Sequence, residues 1–332
     1  MTMNKIYRTL RNLAMLSLPL ALGAVMSSCK SGDQDFPDYG TTTVYFANQG
    51  YVRTIELGDD PEIDLTNDNN HEFSINAAMG GGYGNKHDIT VNYTVDASLI
   101  QGKTFEDGSD MVLLPENYYQ LESSTITIPS GKIQGGVKVQ LTDAFFADPL
   151  SKTRHYVLPV SITGVQGADS ILASKKYVIC AVKYVNPWQA NYLRRGVDVI
   201  TNAAGKQTTN TRHATYVEKD ELVKIGTYGL NTSTFSVSMT DDNGKSYACK
   251  LLLTFNNDEC KISSLTDGFT AEGNGSFVLK GEKKSFGGKD RNALYLKYSV
   301  HSDALGKTIA TTDTLVMRDR GIAPEYFTPK IK

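Results

Sequence analysis

The chain has 332 residues, and its 36 acidic side chains slightly outnumber its 34 basic ones, which gives a formal net charge of -2. Lys5, Arg8 and Arg11 lie in the first eleven residues, and removing their three charges leaves a mature chain near -5. An acidic chain with scattered basic residues argues against nucleic acid as a partner and against membrane binding through a basic patch. About 300 mature residues exceed one ordinary domain, so we expect two domains.

Residues 1–28 have the layout of a bacterial lipoprotein signal peptide. A positively charged start is followed by an apolar run over residues 13–26, which is too short to span a bilayer, and small residues stand directly before Cys29. In such proteins the peptide is cleaved before the cysteine, which then carries acyl chains. We therefore expect lipidation of Cys29. An ordinary secretory signal and a signal anchor are the alternatives.

Residues 29–40 are polar and acidic and predict a flexible tether. Asp33 and Asp35 follow the cysteine closely, and this stretch resembles the acidic tag that sends Bacteroidetes lipoproteins to the outer face of the outer membrane. We therefore expect a protein that is lipid-anchored in the outer membrane and faces the cell exterior, with Asp33 and Asp35 as its export signal.

The first half of the mature chain alternates apolar and polar residues with period two, which is typical of half-buried antiparallel strands. Turn signals such as the glycine-rich stretch 79–85 separate the runs at spacings typical of a sandwich. A short helical segment near residues 143–150 is expected to cross between two sheets. The sequence thus predicts an immunoglobulin-like β-sandwich over residues 41–185. Its expected strands are 42–47, 71–78, 88–95, 124–129, 136–141, 155–163 and 176–185.

A domain boundary is expected near Asn186-Pro187-Trp188, because proline stops the preceding strand, and the segment to Arg195 is interpreted as a connector. Residues 186–332 then form a second antiparallel β domain, so the fold class is all-β. Its strands fit either an up-and-down, lipocalin-like barrel or a second sandwich, and the pattern leaves this choice open. They are expected at 212–217, 222–227, 234–240, 247–255, 261–264, 275–280, 293–301 and 307–317.

No constellation that carries chemistry is visible in the sequence. The five histidines lack the spacing of a transition-metal site, and neither a Gly-x-Ser-x-Gly elbow nor a catalytic cysteine signature is present. Acidic clusters such as 59–64 and 107–110 follow turns and are interpreted as solvated loop acids, with calcium ligation as a remote alternative. We therefore predict no enzyme activity, no metal and no cofactor.

Three cysteines remain once Cys29 carries lipid, and an odd number excludes complete pairing within one chain. If residues 255–259 form a hairpin turn, Cys249 and Cys260 lie several residues out of register, too far apart for a disulfide. Cys180 and Cys249 alternate with apolar residues. We expect free, buried thiols.

Tyrosine is the better clue to a ligand, since the chain has 18 tyrosines and 12 phenylalanines. Sugar faces carry C–H groups that stack on aromatic rings, while amides and carboxylates bind the hydroxyls. Tyr83, with Asn85 beside it in the glycine-rich loop, and the Tyr118-Tyr119 pair are therefore the predicted glycan-binding residues, and all are expected to be exposed. The alternative for each tyrosine is a structural place at the rim of the core. Trp188 is expected to pack as a wedge between the domains.

Two sets of motifs carry a family resemblance. Residues 44–47, 113–119, 126–131 and 156–160 resemble an N-terminal domain of Bacteroidetes lipoproteins, an immunoglobulin-like sandwich that in some relatives precedes a family-18 endoglycosidase. Residues 186–188, 281–291 and 313–321 are similar to the C-terminal β module of non-enzymatic members. Those relatives belong to loci that bind and import glycans. The Asp-x-x-Asp-x-Asp-x-Glu strand of family-18 enzymes is absent from this sequence, so the resemblance implies no endoglycosidase activity and supplies no binding residues.

The leading hypothesis is a non-catalytic surface lipoprotein that binds an oligosaccharide or polysaccharide for an uptake system, with outer-membrane glycan importer components as further partners. The alternative from another class is a structural, adhesion or accessory lipoprotein that binds a protein. A hydrolase with an unrecognised site is the third.

Overall fold

The computed structural model describes residues 40–60 and 62–332. Cys29, Asp33 and Asp35 lie outside the described residues, as do the predicted signal peptide and all but the last residue of the tether. Within the described ranges, no helix combines the length and the apolar character needed to cross a membrane.

Most of the period-two patterns form strands in the described chain, but the strand expected at 212–217 is wrong, because the strand in that region ends at Arg212. The first twelve are β1 Thr43–Tyr45, β2 Gly50–Glu56, β3 Glu72–Gly80, β4 Ile89–Val95, β5 Lys103–Thr104, β6 Val112–Leu113, β7 Tyr119–Leu121, β8 Thr125–Ile128, β9 Gln134–Leu141, β10 Tyr156–Gln166, β11 Ser170–Ile171 and β12 Tyr177–Val185. The others are β13 Ala190–Asn202, β14 Gln207–Arg212, β15 Glu221–Gly229, β16 Thr232–Thr240, β17 Ser246–Asn256, β18 Glu259–Ser264, β19 Thr270–Glu282, β20 Arg291–Ser302, β21 Lys307–Asp319, β22 Glu325–Tyr326 and β23 Lys330–Ile331. The α-helices within residues 40–60 and 62–332 are α1 Thr66–Asn69 and α2 Asp143–Ala147.

The N-terminal part consists of two curled sheets that pack face to face. One has the strand order β11-β1-β3-β9-β7, and the other has the order β22-β2-β12-β10-β4-β8. Strand β3 shows the alternation that builds this core, because Phe73 and Ile75 are buried while Ser74 and Asn76 are exposed. Helix α2 crosses between the sheets at the predicted place and buries Phe145.

The C-terminal part is an eight-stranded closed barrel, which decides the choice that the sequence left open. Strands β15 to β21 follow one another as antiparallel neighbours, and β13 closes the sheet by pairing with β21 from Tyr192↔Met317 to Asn202↔Lys307. β14 lies beside the second half of β13. Closure leaves none of these eight strands as an open edge of the barrel sheet.

The predicted connector over residues 186–195 is wrong in its second half. Ala190 begins β13, which at 13 residues is one of the longest strands of the chain. The inward positions of β13 carry Tyr192 and then the charged residues Arg194 and Asp198. These charges interrupt the apolar alternation, so hydrophobic periodicity does not reveal the strand.

Trp188 closes one end of the barrel. Its ring stacks on Phe255 with a centroid distance of 3.8 Å and an interplanar angle of 5°. The preceding residue, Pro187, makes the contact with the sandwich, because a Cβ on Gly58 would lie 2.7 Å from the Pro187 ring. Trp188 is therefore part of the barrel core rather than a wedge between domains.

The end of the chain returns to the sandwich. Strand β22 pairs with β2, and β23 pairs with β5. Between them Phe327 packs edge-on against Phe105, at 5.0 Å between centroids, in a second apolar cluster on the outer face of the larger sheet. Residues 41–332 form one compact unit. The limits 41–185 and 186–332 stay a prediction.

Candidate functional site

The open end of the barrel contains a cavity of about 460 Å³. It lies at the end opposite Trp188 and is reached past the turns that follow β16 and β20. Residues from β13, β14, β16, β17, β20 and β21 line it. An eight-stranded barrel is just wide enough to hold one small ligand, so this cavity is the first candidate for a binding site.

A buried charge pair forms the floor of the cavity. Arg194 on β13 meets Asp313 on β21, with Nη2 2.9 Å from Oδ2. Tyr298 on β20 donates its hydroxyl to the same carboxylate at 2.9 Å and accepts from Arg194 at 3.0 Å. The Asp313 side chain has no exposed surface. The three strands are adjacent through closure of the barrel, so closure itself assembles this group.

A second arginine extends the network toward solvent. Arg212 on β14 donates to both oxygens of Asp198, at 2.6 and 3.0 Å, and to Oδ1 of Asp313 at 2.6 Å. Thr311 donates to Asp198 at 2.8 Å. The backbone makes room for this cluster at Gly196, where a Cβ would lie only 2.5 Å from the Asp313 carboxylate.

These contacts keep the network ionised. Burial alone would raise the pKa of Asp198, but hydrogen bonds from Arg212 and Thr311 outweigh it and hold the pKa below its usual value. Burial would lower the pKa of Arg212, and its bonds to Asp198 and Asp313 instead carry it upward. The hydroxyl pKa of Tyr298 is raised by burial and by the Asp313 charge. All of these groups therefore hold their usual charge at neutral pH.

The remaining lining combines an aliphatic wall with one unpaired amide. The wall consists of Ile200, Val237, Met239, Val300 and Ile309. The side chain of Asn210, on the inward face of β14, has no hydrogen-bond partner among the described residues. Ser238 and Thr240 also border the cavity, but they alternate with Val237 and Met239 and carry their hydroxyls on the outer face of β16. Cys249 also lines the cavity, and burial raises the pKa of its thiol, so it is poorly suited to act as a nucleophile.

The predicted loop site at Tyr83 is partly as expected. Tyr83 is exposed over 66% of its surface. Asn85, however, fastens the loop to the neighbouring turn, because its amide donates to the carbonyl oxygens of Ile128 and Pro129 at 3.2 and 3.0 Å. Its donors are therefore used within the protein, and a role of Asn85 in binding stays a prediction.

The expected exposure of the Tyr118-Tyr119 pair is wrong. Both residues are half-buried. Tyr118 donates to Asp148 at 2.8 Å and packs edge-on against Tyr156, with 5.5 Å between centroids. Tyr119 packs against the sandwich core. The two rings cap the core instead of forming a flat platform, because Tyr119 begins β7, the edge strand of the smaller sheet, and Tyr118 ends the short turn directly before it.

Tyr83 and Tyr119 also lie at opposite ends of that sheet. Tyr83 follows the last residue of β3, whereas Tyr119 pairs with Leu141 of β9 beside the first residue of β3. The nine residues of β3 span about 30 Å at the usual rise of a strand. These residues do not form one site.

The acidic clusters lie in turns, as predicted. Asp107, for example, accepts from the hydroxyl and the amide of Ser109, which lowers its pKa to about 2. No group of three or more His, Cys, Asp or Glu placed to hold a metal occurs within residues 40–60 and 62–332. All three cysteines of this part of the chain are free and buried, which confirms the thiol prediction.

The charged floor of the barrel was missed by the sequence analysis, although one signal marks it. Asp313 and Thr311 share the inward parity of Leu315 and Met317, which are buried in the barrel core. A carboxylate on the apolar face of a strand is rarely left unpaired. The position of Asp313 on this inward face therefore predicts that a buried partner binds its carboxylate, but it does not identify that partner.

Two family models match the chain. Residues 39–169 match the model described as "-like, N-terminal domain", and residues 187–321 match "Domain of unknown function (DUF5627)". A comparison with curated proteins finds no match.

Among solved structures, a protein of unknown function from Bacteroides ovatus is 41% identical, with a TM-score of 0.83 over 88% of this chain and 99% of that one. A second Bacteroides ovatus protein of unknown function is 15% identical, with a TM-score of 0.42 over 87% and 99%. An auxiliary nutrient-binding protein of Bacteroides thetaiotaomicron is 15% identical, with a TM-score of 0.37 over 80% and 90%. The last two likenesses are too distant to bear on the function of this chain.

Proposed function

Because this chain belongs to the same protein family as the 41% identical Bacteroides ovatus protein, we propose one role for its two β parts together. The protein is a non-catalytic surface lipoprotein that binds a neutral glycan, and the barrel cavity receives one end of that glycan. The observation that carries this proposal is a cavity whose charged residues each have a partner within the protein, while the neutral amide of Asn210 has none among the described residues.

The charge balance favours an uncharged ligand. Three cations and three carboxylates line the cavity: Arg194, Arg212, Lys307, Asp198, Glu221 and Asp241. Lys307 is held by Asp242 at 2.8 Å, and Asp241 accepts from the amides of its own turn. A charged ligand would have to break one of these pairs, and an unpaired buried charge is costly.

The free amide matches a sugar. Asn210 offers a donor and an acceptor, so its side chain can bind sugar hydroxyls in both directions. The aliphatic wall at Val300 and Ile309 can face the C–H side of a ring. A volume of about 460 Å³ lies within the range of ligand sites and suits a short oligosaccharide end.

The same geometry supports a non-catalytic role. Glycoside hydrolysis needs one carboxyl group with a raised pKa to protonate the leaving oxygen. Asp198 has a lowered pKa instead, and Asp313 is enclosed by two arginines and a tyrosine hydroxyl. Asp198 is therefore poorly suited to act as the general acid, and the Asp313 carboxylate has its oxygens occupied by hydrogen bonds within the protein.

Membrane attachment completes the proposal. Lipid on Cys29 would anchor the chain in the outer membrane, and Asp33 and Asp35 would direct it to the outer face. A lipoprotein placed there could pass glycan to importer components of a glycan-utilisation locus. Tyr83, being exposed, remains a second candidate contact for a longer chain.

A glycan array followed by calorimetry on the soluble chain beginning at residue 36 tests the proposal. We expect neutral oligosaccharides to bind and acidic ones to bind more weakly. Asn210→Ala should reduce affinity several-fold, whereas its neighbour Thr209→Ala, on the opposite face of β14, should not. Absence of binding to every glycan, or equal loss in both variants, would overturn it.

A further inference from the structure

Among the described residues, one edge of the sandwich has no partner strand. Strand β1 pairs with β3 only from Thr43↔Gly80 to Tyr45↔Ala78. The chain then crosses to the other sheet, as the bond from the Phe46 amide to the Lys175 carbonyl shows. On its other side β3 stays paired with β9 from Glu72 to Ala78. The part of β3 before Ala78 therefore pairs with a neighbouring strand on one side only.

The register identifies which backbone groups this edge presents. The Leu141 amide donates to the His71 carbonyl, and the Met79 amide donates to the Ile133 carbonyl, so odd-numbered residues of β3 bond toward β9. In an antiparallel ladder successive residues bond to opposite sides. The N–H and C=O groups of Ser74 and Asn76 therefore point away from β9, to the side that β1 has left.

A groove of about 290 Å³ lies along this edge. Its far wall is formed by Tyr51 and Tyr326, which pair with each other across β2 and β22. Tyr326 is exposed over 63% of its surface. The groove also contains three amide side chains, Asn48, Asn76 and Gln134, that have no hydrogen-bond partner among the described residues.

The groove is also uncharged. No Lys, Arg, Asp or Glu belongs to its lining, and the edge residues Ser74 and Asn76 carry neither charge nor proline. Natural edge strands are commonly protected against pairing by such residues, by bulges or by a covering element. The backbone N–H and C=O groups of Ser74 and Asn76 remain available for pairing. Because the groove lining carries no charge, it favours an uncharged segment.

The geometry points to a strand-addition site: an extended, uncharged peptide segment of a partner protein pairs with Ser74 and Asn76 and lies between β3 and Tyr326. Ser74 and Asn76 present two N–H donors and two C=O acceptors, spaced two residues apart. An extended peptide has backbone groups with the same spacing, whereas the hydroxyls of a sugar do not. The amides of Asn48 and Gln134 then bind its side chains or free carbonyls. The site is separate from the barrel cavity and does not depend on it.

Proline at position 76 gives a selective test. Because the Asn76 amide does not bond to β9, Asn76→Pro removes an edge donor and leaves that ladder intact, as proline does on edge strands. Asn76→Ala is the matched control, since it removes the side-chain amide and keeps the backbone N–H. A phage-displayed library of random seven-residue peptides, selected on the detergent-solubilised mature chain, supplies the probe.

Selected peptides should bind the natural chain and Asn76→Ala similarly, and Asn76→Pro at least about tenfold more weakly. On the natural chain they should slow hydrogen exchange at the Ser74 and Asn76 amides, a measurement that needs no variant. Ile309→Trp in the barrel should leave peptide binding unchanged. The proposal is overturned if peptides bind Asn76→Pro equally, if those two amides stay unprotected, or if neutral oligosaccharides displace the peptides and protect the same amides.

Discussion

Arg194 and Asp313 are 119 positions apart in the chain and form a charge pair inside the barrel, with 2.9 Å between Nη2 and Oδ2. The pair spans β13 and β21, the two strands whose contact closes the barrel. A side-chain network that connects the closing strands makes the cavity floor depend on the completed fold. It also gives each charged residue of the network at least one oppositely charged partner, while the Nη1 atom of Arg212 has no hydrogen-bond partner among the described residues.

Removing the shared carboxylate should strongly destabilise the barrel. Asp313→Ala removes the carboxylate closest to the buried Arg194 guanidinium and one of the two carboxylates that bind Arg212, and breaking a buried pair costs about 3–5 kcal/mol. Asp303→Ala, at a fully exposed carboxylate, should change stability by less than about 1 kcal/mol. Urea unfolding followed by circular dichroism measures both. Equal effects would show that the network contributes nothing particular to stability.

Glu56 should make stability depend on pH in the opposite sense to a salt-bridged acid. Burial raises its pKa, and its Oε2 atom is buried without a hydrogen-bond partner. A raised folded-state pKa means that the contribution is present below the unfolded pKa and is lost as pH rises through the folded value. Glu56→Gln should therefore raise the unfolding temperature at pH 7.

The advantage of Glu56→Gln should shrink toward pH 4, because the natural side chain takes up its proton as the pH falls, and in the folded state it does so at the higher pH. Glu259→Gln, at an exposed side chain, should leave the unfolding temperature unchanged at both pH 7 and pH 4. Thermal unfolding at the two pH values makes the comparison. A glutamine variant that is less stable at pH 7, or an advantage of the same size at pH 4, would contradict the assigned cause.

Arg320 should connect the unfolding of the two β parts. It is 4% exposed and donates to the carbonyl oxygens of Leu57, Asn186 and Pro187, at 2.7 to 3.0 Å. Arg320→Met leaves the carbonyl oxygens of Leu57 and Pro187 without a donor, whereas the Asn186 carbonyl still accepts from the Gln189 amide, and the loss should be at least about 2 kcal/mol. Arg318→Met, at a side chain that is 44% exposed, is the control.

Two probes can follow this effect separately. Trp188 is the only tryptophan and lies in the barrel core, so its fluorescence reports on the barrel, whereas circular dichroism reports on all strands. The transitions should coincide in the natural chain and separate in Arg320→Met. Coincident transitions in the variant would argue that the two parts are coupled through other contacts.

The strands were predictable because most of them have one apolar face. Leu315 and Met317, two residues apart, indicate the strand Lys307–Asp319. The sequence also predicts the short helix at Asp143–Ala147. Barrel closure was not predictable, because the pairing of Tyr192 with Met317 depends on contacts more than a hundred residues apart. A local alternation pattern is the same in a sandwich and in a barrel.

The candidate site was harder to predict than the fold. The sequence analysis sought exposed rings, and the Tyr118-Tyr119 pair instead caps the core through Asp148 and Tyr156. Charged residues in a strand suggest an exposed face, whereas Arg194 and Asp313 satisfy each other inside. Which charges pair is decided by three-dimensional contact, which one sequence does not display.

Lipid attachment should depend on one thiol. Cys29→Ala should abolish incorporation of radiolabelled palmitate and release the protein from the membrane fraction, because acyl chains are the proposed anchor. Replacing both Asp33 and Asp35 with alanine should keep the label but lower the accessibility of the protein to protease on intact cells. Labelling that survives Cys29→Ala would exclude lipidation at this position.

The most direct measurement is calorimetric titration of a glycan that binds the natural chain into two tryptophan variants of β21. Ile309 lines the cavity, whereas Ala310 is exposed on the outer surface of the barrel. We predict that Ile309→Trp fills the cavity and weakens binding at least about tenfold, while Ala310→Trp binds as the natural chain does. Unchanged binding by a folded Ile309→Trp would contradict a glycan site in the barrel.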